Sequence, residues 1–446
     1  MTRRLVQVLT QGAAFILLLL SVPLSVHGDT HEVASPPLLI GQVDTHQAPS
    51  SPPLIAHADT HPIPSIEDTL RPMRWQYLGP FSVAPREGIT GIRDDPEVLL
   101  PKEDTHYPSI LAQGGLVGWK AASPDSSGWV SVEFENVLWD TLMHVYGYAG
   151  IANGVYAYAE FDVSRAGRAL VVAEKVGSFY LNGSLYFGDP YGHGFMRVPT
   201  LLKEGRNTVL VKIVGYGDHR FRFEIVPAPA AVILIDDTTV PDIIEGERGK
   251  AWLGITVANT TARTITGATL AVGEDRLIVR HERPLPDLAP LSVSKIPVEI
   301  DIRGSMGEGD RISLSVEIAY GTSAFTGSVD LRVRAKDQSF KRTFISRIDG
   351  SCQYYAVRPP ADYDPAKKYA LILTLHGANV EAHRQANSYR PKRDAFVVAP
   401  TNRRRYGFDW QDWGRLDALE VLEIAKSTLP VDTTRVYLTG HSMGGH

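Results

Sequence analysis

Val436-Tyr437-Leu438-Thr439-Gly440-His441-Ser442-Met443-Gly444-Gly445-His446 is the stretch whose reading decides the fold of the last quarter of the sequence. Its β-branched and aromatic opening, Val436 to Thr439, predicts a buried strand. The run passes straight into Gly440-His441-Ser442-Met443-Gly444, a G-x-S-x-G pattern. That pattern puts a serine on a very tight strand-to-helix turn with strained backbone angles. A glycine two residues to either side removes Cβ atoms that would collide with the neighbouring strand and helix. The turn lifts the Ser442 hydroxyl out of the sheet, as a nucleophile requires. It also brings the Met443 N–H to where a tetrahedral oxyanion forms.

The surrounding sequence supplies context for this turn. Tyr369 to Leu375 is a continuous apolar strand that ends in His376-Gly377-Ala378-Asn379. A strand followed by His-Gly is where a second oxyanion donor sits, here the N–H of Ala378. A second apolar strand spans Ala395 to Ala399, and helix-period residues run from Leu416 to Leu429. In that run Leu416, Leu419, Leu422, Ile424, Ala425 and Leu429 fall largely on one face. Asp432 and Arg435 lead into the elbow strand.

Residues 343–446 resemble secreted α/β hydrolases of the prolyl oligopeptidase-like superfamily, and look most like its polysaccharide-esterase-like members. The resemblance is carried by P-P-A-D-Y-D-P at 359–365, L-H-G-A-N at 375–379, D-W-G-R-L-D at 412–417 and D-T-T-R-V-Y-L-T-G-H-S-M-G-G at 432–445. It implies the N-terminal part of a doubly wound sheet, with Ser442 as catalytic nucleophile and Ala378 and Met443 as oxyanion donors. Gly440, His441 and Gly444 would form the elbow, and His376 and Gly377 the oxyanion loop. In such enzymes the triad follows the order Ser, Asp or Glu, His. Both partners are therefore expected beyond His446, which makes the chain a truncated, inactive form of a larger serine hydrolase. Of the nearby histidines, His376 belongs to the oxyanion loop and His441 to the elbow, and His383 and His446 lack the motif support that a replacement base needs.

Length and composition set the outer limits. A chain of 446 residues suggests about three domains. A hydrophobic content of 43% with 21% charged residues describes ordinary globular protein. A formal net charge of −5 gives no reason to expect nucleic acid or an anionic membrane surface as partner. The single cysteine, Cys352, excludes an internal disulfide and reads as a small buried strand residue. No metal, nucleotide or redox motif is present, so no cofactor is expected.

The N-terminus reads as an export signal over residues 1–28. Thr2-Arg3-Arg4 precedes an apolar run from Gly12 to Val26, with small residues suited to cleavage after Gly28. The run is short of the roughly 20 residues that span a bilayer and contains Pro23, so stable membrane insertion is not expected. Secreted or periplasmic protein is the reading, with an uncleaved anchor as the alternative. Residues 29–72 form a Pro-rich linker in which Asp-Thr-His recurs at 29–31, 44–46 and 59–61. Asp and His are metal-ligand types, but the repeat reads as semi-extended linker rather than a closed metal site.

Residues 73–228 turn strongly β. Ala169 to Ala173 and Ser178 to Leu181 are strands, the latter closed by Asn182-Gly183, a favoured two-residue hairpin turn. That turn, with L-L-K-E-G-R-N at 201–207 and the strand Thr208 to Val214, resembles galactose-binding-like jelly rolls attached to carbohydrate enzymes. The resemblance implies sugar binding through Tyr186, Phe187, Tyr191 and Phe195, against a plain spacer role for the module. Pro227 to Ala231 mark a boundary. Residues 232–338 show short strands at regular spacing (Trp252 to Ala258, Ala268 to Val272, Ser292 to Ile300, Arg311 to Ala319), which suggest an immunoglobulin-like β-sandwich. Asn182-Gly-Ser and Asn259-Thr-Thr are glycosylation sequons.

Within the hydrolase-like part, Arg403-Arg404-Arg405 and the aromatics Tyr406, Phe408, Trp410 and Trp413 follow the second core strand. Loops at the carboxyl ends of parallel strands line binding crevices, so Trp410, Trp413 and Arg404 are candidates for a substrate wall. The whole is expected to be an exported serine hydrolase acting on an acyl ester, carbohydrate-linked by analogy with its sandwich modules. A prolyl oligopeptidase-like peptidase is the competing enzyme. A carbohydrate-binding or adhesion protein with a vestigial hydrolase portion is the competing class.

Overall fold

The computed structural model describes residues 63–83, 99–135, 137–274, 277–304, 307 and 309–446. The leader and the three Asp-Thr-His units lie outside them. Most elements are strands, gathered into successive sheets along the chain.

The first pair of sheets grows from strands whose side chains alternate. Along Gly205–Tyr216 the residues Asn207, Val209, Val211 and Ile213 turn inward, the period-two pattern of a sheet with one buried face. This strand lies in a six-stranded sheet between Ala152–Val163 and Ser178–Leu181. A four-stranded sheet centred on Gly167–Glu174 and His219–Pro227 packs against it. One apolar core joins the two: Val155, Phe179 and Val211 from the first meet Val171, Phe221 and Ile225 from the second. Trp75 stands edge-on to Phe221 at 5.0 Å and Phe223 at 5.9 Å, the arrangement favoured by ring quadrupoles. Asn182 (φ 51°) and Gly183 (φ 86°) make the hairpin turn that their sequence calls for.

Two expectations for this region change. The chain joins the sandwich before residue 73: Ile66 N–H donates to Arg168 O at 3.0 Å, and Leu70 and Ile225 exchange backbone bonds at 2.8 and 3.0 Å. Ile66 and Leu70 also pack on the core, so apolar residues between the prolines end the linker early. A helical segment at Trp139–Gly150, kinked at Gly147 (φ 70°), interrupts the β region and is tied down by Trp139 against Phe134 at 6.2 Å. Neither sequon presents a free amide. Asn259 is buried, with Nδ2 donating to the carbonyls of Arg263, Leu288 and Ala289, and Asn182 Nδ2 donates to Asn207.

Eight strands between Val232 and Arg334 form the next sheet. It folds over, because strands Ile278–Pro284 and Val293–Ile302 meet only at the pair Ile278 and Ile302. Residues from both halves, among them Leu253, Ile255, Leu270, Val298, Leu314 and Leu331, close one core. Leu170 and Ala228 share a smaller apolar cluster with Ile233, Ile235 and Ala258, seating the first sandwich on the second.

The last sheet has five strands in the order Phe340–Ile345, Cys352–Arg358, Ala395–Pro400, Tyr369–Leu375, Val431–Gly440. The final three run parallel, and the first two antiparallel. Ala395–Pro400 is buried throughout, as a strand covered on both faces must be. Ala382 and Ala386 of helix Ala382–Ser388 pack with Tyr354, Ala356 and Ala399. Ala418, Val421 and Ala425 of helix Asp412–Thr428 pack with Tyr355, Val357, Leu371 and Val398. Strand residues alternate between these two sets, so one helix covers each face. The long helix buries the stripe expected of it only in part: Ala425 is buried and Leu422, Ile424 and Leu429 pack on the core half-buried. Its buried residues are Gly414, Asp417, Ala418, Val421 and Ala425, while Leu416 and Leu419 are exposed. Cys352 is buried in its strand, and burial pushes its thiol up to about 12. Among the described residues no helix is long and apolar enough to cross a membrane.

Candidate active site

Strand Val431–Gly440 pairs in parallel with Tyr369–Leu375 through Leu371 with Val436 to Leu375 with Gly440. Both strands end at the same level, so their following loops meet. His441 stays extended at φ −126°, and its N–H donates to Leu375 O at 3.1 Å. Ser442 then turns to φ +52°, a left-handed value that an L-residue adopts only at a cost. A short 3-10 turn, Ser442–Gly445, follows, closed by Gly444 N–H to His441 O at 2.9 Å. Ser442 is exposed at its crest.

Close approach accounts for the two motif glycines. A Cβ on Gly440 would run into the Gly444 carbonyl, and a Cβ on Gly444 would lie 2.5 Å from the Leu375 carbonyl carbon and 2.9 Å from His376 O. Gly377 is confined less severely: a Cβ there would lie 3.0 Å from His441 Nδ1 and 3.3 Å from Ser442 Cβ. The His376–Gly377 turn and the Ser442 turn are thus packed backbone on backbone. Met443 anchors the crest sideways, its sulfur accepting the Asp409 N–H at 3.1 Å.

His376 is fully buried, with Nδ1 2.9 Å from Gly377 O and Nε2 3.3 Å from Thr401 O. Burial holds the imidazole below its ordinary value, partly offset by those carbonyls. A neutral ring donates to one of them only. His383 turns away, its Nε2 3.2 Å from Ser339 O. His441 and His446 are exposed. Among the described residues no histidine ring is hydrogen-bonded to Ser442.

The expected substrate wall divides. Trp410 is half-buried. Its indole N–H donates to His376 O at 2.9 Å, and its ring stands edge-on to His376 at 4.9 Å. It braces the loop beside Ser442, because a buried carbonyl needs a donor and the indole supplies one with apolar cover. Trp413 is 58% exposed and sits 5.9 Å from the Arg403 guanidinium, over a hollow shared with Lys295, Asp349 and Gln353. Arg404 is exposed. Arg403 instead forms a half-buried hub, 2.5 Å from Asp349 and within 4.0 Å of Asp417 and Glu420.

Asp417 was legible only as part of a motif. It is fully buried and accepts the Asn402 N–H at 2.9 Å. Burial raises its carboxyl to about 6, against the opposing pull of Arg403 and two backbone N–H groups. It holds the loop after strand Ala395–Pro400, where Asn402, Arg403, Tyr406 and Asp409 all have positive φ.

The proposed sugar platform of the first sandwich is not one surface. Tyr186 stacks on Phe179 at 5.3 Å and joins the core, while Phe187 is 68% exposed. The loop with Tyr191 and Phe195 reaches the region of the last, five-stranded sheet. There His193 stacks on Tyr406 at 3.6 Å with planes 11° apart, and Phe195 lies 6.2 Å from the same ring. No motif pointed to His193. The Gly-rich run D-P-Y-G-H-G-F at 189–195 was the available signal of a shaped loop.

No family model matches the chain. An uncharacterized secreted protein of Arthroderma benhamiae is 23% identical over 391 residues, which is 77% of this chain and 40% of the relative. The chain therefore spans less than half of the curated relative it matches. Among solved structures, a thermostable esterase is 17% identical with a TM-score of 0.22, covering 48% of this chain and 71% of that one. A CE1 ferulic acid esterase from Anaeromyces mucronatus, in complex with ferulic acid, is 16% identical with a TM-score of 0.19, covering 24% of this chain and 49% of that one. A beta-glucuronidase from glycoside hydrolase family 2 is 11% identical with a TM-score of 0.31, covering 71% of this chain and 34% of that one. Scores this low leave both fold and chemistry to be argued from the chain's own residues.

Proposed function

We propose that the protein is an exported serine hydrolase in which Ser442 attacks an acyl carbon and the N–H groups of Ala378 and Met443 hold the oxyanion. The observation that carries this reading is the crest at Ser442. An exposed serine at φ +52° stands on a turn whose flanking glycines are required by backbone contact, against the Gly377 loop of the neighbouring parallel strand. Nothing in core packing calls for a strained, solvent-facing serine at that point. Strain at an exposed nucleophile is what acyl transfer uses.

The chain is read as a jelly-roll module, an immunoglobulin-like sandwich and an α/β-hydrolase portion in that order. Export is supported by the leader-like N-terminus, and the relative that matches most of the chain is described as secreted. The substrate read from the residues is an acyl ester, carbohydrate-linked by analogy with the attached modules. A base paired with Ser442 is not assembled by the described residues. Because a serine without its base loses on the order of 10⁶ in kcat, the reaction needs that partner supplied to Ser442.

The test uses the native full-length protein. A fluorophosphonate probe is expected to label Ser442, and nitrophenyl acetate and feruloylated xylan to be turned over, with both signals lost in Ser442→Ala. Turnover of a Gly-Pro peptide substrate in place of the esters would favour the peptidase. Labelling elsewhere, or activity that survives Ser442→Ala, would defeat the reading.

A further inference from the structure

We propose that the loop at residues 189–197 of the first sandwich belongs to the hydrolase site, with His193 clamping Asn379 and so holding the adjacent Ala378 N–H in place for the oxyanion. This inference rests on the acyl-hydrolase reading above and adds a positioning role for a module that sequence assigned to sugar binding.

Asn379 follows Ala378 directly and sits at φ +60°. His193 Nε2 lies 2.7 Å from Asn379 Oδ1, which makes the ring the donor to the amide oxygen. Tyr191 lies on the same loop, its ring centroid 6.1 Å from that of His193. Asn379 is therefore held through its side chain by a module 186 positions away in sequence. Asn379 is joined to Ala378 through one planar peptide, so holding it limits how far the Ala378 backbone can move.

The grip is itself built rigidly. Asp189 is buried, and its two carboxylate oxygens accept the N–H groups of Gly192 at 2.9 Å and Gly194 at 2.7 Å. Arg197 Nη1 ties back to the carbonyls of Gly194 at 2.7 Å and Met196 at 2.8 Å. The His193 ring is further held by its stack on Tyr406, and Arg405 lies 5.2 Å over Phe195 on the far side. Donors locked by a second layer of contacts are what preorganised oxyanion sites need.

The test measures ester hydrolysis by native full-length protein carrying His193→Ala, His193→Gln, Asn379→Ala, or His193→Ala with Asn379→Ala. His193→Ala is expected to lower kcat about tenfold to a hundredfold, the scale of a misplaced reacting group, with KM within about twofold. His193→Gln, whose amide can donate to Asn379, is expected to restore most of the loss. The double variant should be no worse than the poorer single one, since both substitutions break one contact. Thermal melting of each variant separates this from unfolding. Wild-type kcat in a folded His193→Ala, a loss confined to KM, or losses that multiply would each overturn the clamp. If wild type is labelled at Ser442 while His193→Ala is unimpaired, only the clamp fails. If wild type is not labelled at Ser442, the hydrolase reading fails and takes the clamp with it.

Discussion

Adding one methyl group at adjacent glycines tests whether the Ser442 crest is held by backbone contact. In Gly444→Ala the new Cβ would lie 2.5 Å from the Leu375 carbonyl carbon and 2.9 Å from His376 O. Neither is a flexible side-chain end. Carbon atoms rest about 3.5–4.0 Å apart, so the turn must lift by about 1 Å to admit the methyl. Overpacking of this kind costs about 1–3 kcal/mol. A displacement of about 1 Å at the reacting group costs about a hundredfold in rate. In Gly445→Ala the nearest atoms, Gly440 O and C, would be 3.6 and 3.8 Å away, which is ordinary contact. The assay pairs fluorophosphonate labelling of Ser442 with denaturant unfolding of the native full-length protein. Gly444→Ala should label about a hundredfold more slowly and lose about 1–3 kcal/mol, while Gly445→Ala stays within about twofold in labelling rate. Equal behaviour of the two variants would refute the reasoning, because it would mean that the turn does not rest on the Leu375 and His376 backbone.

Trp410→Phe keeps the ring but removes the donor to His376 O; it is expected to cost about 1–3 kcal/mol, the price of an unmet buried carbonyl, and to slow ester turnover with little change in KM. A Trp410→Phe protein with unchanged stability would return Trp410 to the substrate wall. His219 is buried on Asn153, and burial lowers its imidazole to about 4 against a weaker opposing pull from Asp218. The unfolded chain then takes up a proton near pH 6.5 while the folded one does not. The stability it contributes is therefore complete above pH 6.5 and lost as pH falls from 6.5 towards 4, by up to about 3 kcal/mol. His219→Gln should flatten that part of the denaturation profile, and an unchanged profile would show that another group is responsible. Cys352, whose thiol burial pushes up to about 12, should resist a thiol reagent in the native state and react once on unfolding; fast native labelling would contradict its burial.

Local chemistry settled a good part of this protein in advance. The strands at 369–375 and 395–399 follow from β-branched and apolar runs, and the Ser442 turn from the glycines on either side of it. The same holds for the Asn182-Gly183 hairpin and for the regularly spaced strands of the two β modules. These depend on steric limits and side-chain alternation, which neighbouring residues carry among themselves. What required the tertiary structure was the choice of partners. Helix Asp412–Thr428 turns Asp417 inward because Asn402, in a loop formed by a different part of the chain, offers its N–H, and Leu416 and Leu419 are left outside. Trp410 is a brace because its indole meets the His376 carbonyl, and His193, though exposed, meets the Asn379 side chain. Each of these outcomes joins residues from separate segments through directional hydrogen bonds. Such bonds have no periodic signature in sequence, since their geometry exists only once the sheets have packed.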